Sequence, residues 1–274
     1  MSSAPLSGRT VLITGATSGI GYETARLLAE RGATVLVHGR TADETQAATD
    51  RLVAAEGIDA DQLCAFSADF THLDEVERLA HRVITEHPHL DVLVNNAGMA
   101  APERHTVTPD GNEIAFQVNF LAHYLLTGLL EPALTTGRGG RGGRVVSVSS
   151  SLHRTASIQW SDPNRARRYS RLAAYAQSQL ALTVFASDPR VTAVSVHPGV
   201  CDTALLPLYA EEGASAAQGA AHVVSLCDPA TEIVNGAYYD RDERVEPAAA
   251  ATEDRTVKRL NKLADLLVGH TVTT

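Results

Sequence analysis

Three features of the 274-residue sequence predict an α/β fold: a single doubly wound domain with a parallel sheet of about seven strands and helices on both faces. Short apolar runs alternate with segments of helical spacing along the whole chain. The apolar runs are hydrophobic throughout, the pattern of strands covered on both faces. The first run ends in glycines and leads directly into a helix, the arrangement that receives a phosphate group in folds of this class.

The elements follow in order. Thr10 to Thr14 is a β-branched run, and Ile20 to Arg31 has helical spacing at Ile20, Leu27 and Leu28, with Gly32 as its stop. Thr34 to His38 reads as the second strand, Thr41 to Glu56 as a helix and Gln62 to Phe66 as the third strand. Leu73 to Glu86 is helical up to Pro88, and Asp91 to Val94 is the fourth strand. Gly111 to Leu134 forms one long helical stripe through Ile114, Val118, Leu121, Leu125 and Leu129. Arg144 to Val148 and Val191 to Val196 are strands flanking a helix at Ser170 to Ser187, which Ser187-Asp188-Pro189 cuts short. A last unit comprises Gly236 to Tyr239 and Val257 to Val268.

Composition narrows the function. Hydrophobic residues make up 44% and charged residues 20%, which excludes a disordered chain. No apolar stretch is long enough to span a bilayer, and Met1 to Gly8 lacks the basic start and apolar run of a secretory signal, so the expectation is no membrane span and a cytoplasmic location. Three cysteines without CxxC spacing imply neither a disulfide framework nor a metal site. The net charge of −9 repels phosphate backbones, so nucleic acid is not an expected partner. The Arg/Gly tract from Thr136 to Arg144 could bind RNA, but it joins a helix to a strand inside an acidic domain and reads as a flexible loop. The whole chain, 1–274, is taken as one domain with 1–7 as a flexible tail. The only lysines are Lys258 and Lys262, near the C-terminus.

The glycine turn reads Thr14-Gly15-Ala16-Thr17-Ser18-Gly19-Ile20-Gly21. Glycines at this spacing permit a tight turn and close approach of a pyrophosphate, which the backbone of Gly15, Thr17, Ser18, Gly19, Ile20 and Gly21 would receive at a helix N-terminus. An acidic residue after the second strand would favour NAD; here Gly39 is followed by Arg40, whose guanidinium can fork onto a 2′-phosphate. The expected cofactor is NADP(H).

Four further segments occur in a telling order: Asp69-Phe70, Asn95-Asn96-Ala97-Gly98, Asn119 and Pro198-Gly199. With the glycine turn, they resemble the short-chain dehydrogenase/reductase family over residues 8 to 268. The resemblance implies a Rossmann fold and an oxidoreductase acting on a small molecule. It implies that Asp69 and Phe70 hold the adenine, that Asn95 supports the central strand and the adenosine ribose, and that Ala97 and Gly98 line the same cleft. Pro198, Gly199, Val200 and Thr203 would flank the nicotinamide.

Ser150 and Tyr175 are 25 positions apart, farther than in most of the family. This insert, with Asn235 to Tyr239 and Val245-Glu246-Pro247 downstream, is similar to the retinol-dehydrogenase-like and protochlorophyllide-reductase-like branch, which mostly uses NADPH. By resemblance Ser150 holds the substrate oxygen, Tyr175 moves its proton and Asn119 holds the water of a proton relay. The family's Tyr-x-x-x-Lys reads Tyr175-Ala176-Gln177-Ser178-Gln179 here. Gln179 can donate to a ribose hydroxyl but brings no charge to lower the phenol's pKa, a loss on the order of 10²-fold in rate.

Arg171, one turn before Tyr175, could lend positive potential, with solvent or Asp162 as its other partner. Leu205, Leu206, Leu208 and Tyr209 form either an apolar wall over the nicotinamide or ordinary packing. Trp160 either meets the substrate or covers the insert; His153 reads as a solvated loop histidine and His197 as structural. The helices at 111–134 and 170–187 are where the family pairs, so a homo-oligomer is expected through them. Two alternatives stay open: a non-redox enzyme on the same fold (cyclase, dehydratase or isomerase) and a catalytically silent NADP-binding protein.

Overall fold

The computed structural model describes residues 6–55, 57–136, 142–186, 192–209 and 212–269. Glu56, Val191, the segment Ser187-Asp188-Pro189 and most of the Arg/Gly tract therefore lie outside the described residues.

Eight strands form one sheet: β1 (Thr10–Ile13), β2 (Thr34–Gly39), β3 (Leu63–Ser67), β4 (Val92–Asn95), β5 (Arg144–Val148), β6 (Thr192–His197), β7 (Tyr238–Asp240) and β8 (Glu243–Val245). The order is β3-β2-β1-β4-β5-β6-β7-β8, parallel as far as β7. The strand beyond the expected seven is β8, which returns antiparallel on β7 through a tight turn at Arg241. The order reverses between β1 and β4, and the cleft at that switch point is where this class of sheet receives ligands.

The strands read as unbroken apolar runs because successive residues feed opposite cores. Leu12, Leu36, Leu93 and Val145 join one core, under α3 (Leu73–Glu86), α5 (Ala122–Thr135), α6 (Arg171–Phe185) and α8 (Asp254–Val268). Val11, Ile13, Val35, Val37 and Val146 join the other, under α1 (Gly19–Glu30) and α7 (Ala216–Cys227). The remaining helices are α2 (Ala42–Val53), capped by the Thr41 hydroxyl, and the single turn α4 (Ile114–Phe116). Helix α7 has no counterpart in the sequence reading, although Ser215 and Gln218 form a capping box at its start. Its C-terminal end is held by Arg144, whose Nη1 donates to the carbonyls of Leu226, Asp228 and Thr231.

Three sequence expectations are corrected by packing. The long helix from Gly111 is divided: Gly111 sits in a turn with φ +83°, α4 follows, and a π-type turn at Gln117–Leu121 precedes α5. Gln117 enforces this break by accepting from the Thr108 hydroxyl at 2.6 Å and the Asn112 amide at 3.0 Å, which folds the chain back on itself. The expected tail at 1–7 is packed by its sixth residue, because Leu6 is buried and its N–H donates to Arg31. The pairing faces at 111–134 and 170–187 are also not open. Every residue of α6 from Ala174 to Phe185 is buried within the chain, and Leu260, Ala264 and Val268 of α8 pack into the same core. The Tyr124 hydroxyl on α5 donates to Asp265 of α8 at 2.7 Å. The C-terminal helix occupies the surface that the resemblance assigned to a partner.

No helix among the described residues is long and apolar enough to cross a membrane. No group of three or more metal-ligating side chains occurs among them.

Candidate active site

The glycine turn is shaped by residues at the end of β4. Thr14 Oγ1 accepts from the N–H groups of Asn96 and Ala97, each at 2.9 Å. Asn96 Nδ2 donates back to the carbonyls of Thr14 at 2.8 Å and Gly15 at 3.1 Å. A methyl group at Gly21 would lie 2.2 Å from the Gly15 oxygen and 2.4 Å from Asn96 Nδ2, and Gly15 itself has φ +65°. The turn therefore admits only glycine at these places. Ser18 is the N-cap of α1 and makes no side-chain capping bond, which leaves the first N–H groups of α1 without a side-chain cap. Ile20 turns its side chain toward Gly219 of α7, so it offers the turn its backbone alone. Thr203 leans over Gly19 from the loop after β6, which also holds Pro198, Val200 and Gly199 (φ +86°).

Two histidines support this turn from below. Nδ1 of His38 accepts from Gly15 N–H at 3.2 Å, so its Nε2–H donates to the Ala68 carbonyl at 3.1 Å. Nδ1–H of His123 donates to the Asn119 carbonyl at 3.0 Å, and its Nε2 accepts from the Thr14 hydroxyl at 3.0 Å. Phe70 lies between the rings, stacked 4.7 Å from His38 and edge-on 5.4 Å from His123. Burial pushes both imidazoles down to about 4, so they are neutral.

Several expected cofactor contacts change in consequence. The Phe70 ring is buried in that stack and is not a platform for adenine. Asn95 ends β4 fully buried, donating to Thr127 at 3.2 Å and Ser147 at 3.4 Å, so it binds strand to strand and helix, away from any ribose. Its neighbour Asn96 is the residue that faces the turn. Asp69 keeps an open carboxylate edge, since only its Oδ1 is held, by the N–H and hydroxyl of Thr71. Arg40 is exposed at the end of β2 and paired with Glu44 at 2.7 Å. Thr17 fills the space above Gly39, where a methyl group would come within 2.4 Å of Thr17 Cγ2.

The catalytic candidates converge from four segments. Ser150, just past β5, is buried; its Oγ accepts from Leu152 N–H at 3.0 Å and lies 2.6 Å from the Tyr209 hydroxyl. Tyr175 is buried on α6, and its hydroxyl interacts with those of Tyr209 and Ser150. Burial, chiefly, and then the Tyr209 hydroxyl raise the Tyr175 phenol well above its ordinary value, against a smaller lowering by Ser150. No cation stands among these causes. Ala101, Ala115, Ala174, Leu152, Tyr169, Leu205 and Leu208 pack with Tyr175, so the apolar wall expected from the 205–208 segment is present.

Gln179 follows one turn later, buried, with its carbonyl accepting from Thr183 and Ser149. Arg171 does not lend its charge to the phenol: its guanidinium donates to the Ala101 carbonyl at 2.8 Å and to Glu103 at 2.7 Å, not to Asp162. Asn119 sits in the π-type turn, donating to the Met99 carbonyl at 3.0 Å and to Ser178 Oγ at 2.9 Å while accepting from Met99 N–H at 2.8 Å. Its carbonyl is taken by His123, so it braces the loop after β4 against α6 and is not arranged as a water holder.

His153 is a second correction. It is fully buried, donating from Nδ1 to the Ser150 carbonyl at 2.7 Å and accepting from Ala248 N–H at 3.1 Å. It ties the Ser150 loop to the C-terminal segment. His197 is structural as expected, buried at the end of β6 with its imidazole pushed down to about 4 by desolvation. Trp160 covers the insert, with Arg259 of α8 over its ring at 4.3 Å. Gln177 pins the insert to α6, accepting from Gln159 N–H at 3.0 Å and donating to the Pro163 carbonyl at 2.7 Å.

This glycine cradle, this switch point and this serine–tyrosine pair occur together in one class of enzyme, and the comparisons agree. Residues 9–212 match the short chain dehydrogenase family. A candidate daunorubicin C-13 ketoreductase of Streptomyces sp. is 38% identical over 91% of this chain and 88% of its own length. Human retinol dehydrogenase 13 is 32% identical, with 98% of this chain and 87% of that protein covered. A crystal structure of an uncharacterised Mycobacterium paratuberculosis protein superposes with TM-score 0.81 at 32% identity, covering 98% of this chain and 96% of that one. The chain belongs to the short-chain dehydrogenase/reductase family of oxidoreductases, in its retinol-dehydrogenase-like branch.

Proposed function

We propose that this oxidoreductase is an NADP(H)-dependent carbonyl reductase or alcohol dehydrogenase for an apolar small molecule, working with glutamine in place of the family's lysine. The observation that carries the reading is the convergence of the Ser150 and Tyr175 hydroxyls on one point, inside an apolar wall and at the ligand-binding end of the sheet.

The open cradle at Gly15, Thr17, Ser18, Gly19, Ile20 and Gly21 suits a pyrophosphate, and Arg40 suits a 2′-phosphate once it leaves Glu44. Gly39 supports the same choice, since a larger side chain there meets Thr17. Asp69, Ala97, Gly98, Pro198, Gly199, Val200 and Thr203 line the rest of the cleft. The bound cofactor supplies hydride. Ser150 donates a hydrogen bond to the carbonyl oxygen, and Tyr175 gives that oxygen its proton. Gln179 offers its amide to the nicotinamide ribose. With no adjacent cation the phenol stays protonated at neutral pH, a state suited to the reductive direction and costly for alcohol oxidation.

The same protonated phenol favours a second reading, proton donation without redox, as in a cyclase, dehydratase or isomerase. Deuterium-labelled NADPH separates the two. Label appearing in the product alcohol supports the reductase, and turnover without label transfer supports the second reading.

A further inference from the structure

The Tyr209 hydroxyl stands 2.6 Å from Ser150 Oγ and beside the Tyr175 hydroxyl. Ser150 Oγ already accepts from Leu152 N–H, so the serine's own proton is the group left to meet Tyr209. A carbonyl substrate must present its oxygen to the same two donors, and one position between them holds one oxygen.

We infer that Tyr209 holds the seat of the substrate's oxygen, so that the chain's own phenol closes the site and a carbonyl compound enters by displacing it. The inference rests on the reductase reading for its ligand class. The surrounding chain suits such an exchange. Tyr209 follows the short turn Leu206–Leu208, whose N–H bonds return within the segment, to Thr203, Leu205 and Leu206. Leu205 and Leu208 pack with Tyr175, Tyr169 and Leu152, so the apolar wall serves either the phenol ring or a ligand's hydrocarbon body. The phenol also indicates shape: a cyclic ketone places an oxygen on a six-membered apolar ring as Tyr209 does.

The test uses Tyr209→Phe, which keeps the ring and removes the competing oxygen. Cyclohexanone binding to the NADP⁺-loaded protein is followed by saturation-transfer NMR, and NADPH oxidation is followed with cyclohexanone and decanal. The expected result is a Kd and a KM about 10-fold lower than wild type, with kcat not reduced. Unchanged binding, or no cyclohexanone binding to either protein, overturns the inference. A fall in kcat at constant KM also overturns it, since Tyr209 would then be orienting Ser150. Tighter binding without NADPH oxidation by either protein leaves the seat standing and removes the reductase reading; wild-type oxidation with unchanged binding does the reverse.

Discussion

Asn119 donates to the hydroxyl of Ser178 at 2.9 Å, and Ser178 donates in turn to the Tyr175 carbonyl at 2.8 Å. This short chain of bonds joins the π-type turn before α5 to the helix that carries Tyr175 and Gln179. The same asparagine clamps the Met99 backbone from both sides. Asn119→Ala leaves the Met99 N–H and carbonyl without these partners, and the expected cost is about 2–3 kcal/mol of stability with a fall in kcat. Thermal unfolding beside steady-state kinetics checks this. A water-holding role alone would lower kcat and leave the unfolding midpoint in place.

Choice of nicotinamide turns on Arg40. Its pairing with Glu44 is exposed and weak, so exchange of that carboxylate for a phosphate is easy. Arg40→Ala is expected to weaken NADPH binding by about 10-fold or more while NADH binding changes little. Titration of both dinucleotides against both proteins gives the answer, and equal losses would assign Arg40 no role in selection.

Acid stability is set by buried imidazoles. His38, His123 and His197 are each pushed down to about 4, against 6.5 when unfolded. Between these values the unfolded chain binds more protons than the folded one, so stability is full above about pH 6.5 and is lost as pH falls toward 4. The size is on the order of a few kcal/mol per histidine. Urea midpoints measured from pH 7.5 down to 4.5 should fall steadily, and His123→Asn should flatten the slope. A flat wild-type profile would contradict the neutral, buried assignment.

The position of α8 predicts the assembly state. With α6 enclosed and Tyr124 bonded to Asp265, the family's pairing helices have no free face. Sedimentation equilibrium is expected to give a single chain of 29.1 kDa. A dimer whose α6 becomes more protected from hydrogen exchange with rising concentration would be inconsistent with this packing.

Much of this was legible in the residues. Continuous apolar runs identified the parallel strands, and the glycine spacing identified the turn, because both are local patterns. Ser150 and Tyr175 came from motif order. Other features depended on register or on distant contacts. Asn95 and Asn96 were assigned in the wrong order because β4 ends between them, and that single step decides which amide faces the core. Phe70 was read as a ligand platform because nothing local shows that His38 and His123 enclose it. Tyr209 meets Ser150 across 59 residues, and His153 meets Ala248 across 95, separations that no local pattern reports. The three-residue β8 was too short to stand out, whereas α7 did carry a readable signal in Ser215 and Gln218.

The central claim is that this site reduces a carbonyl with Gln179 in place of lysine. Its most direct test is NADPH oxidation against cyclohexanone, decanal and related aldehydes and ketones, wild type beside Gln179→Lys. The account predicts measurable wild-type turnover, raised on the order of 10²-fold at neutral pH by the added cation. Turnover confined to the lysine variant would contradict it, by showing a redox site that the natural residue has switched off.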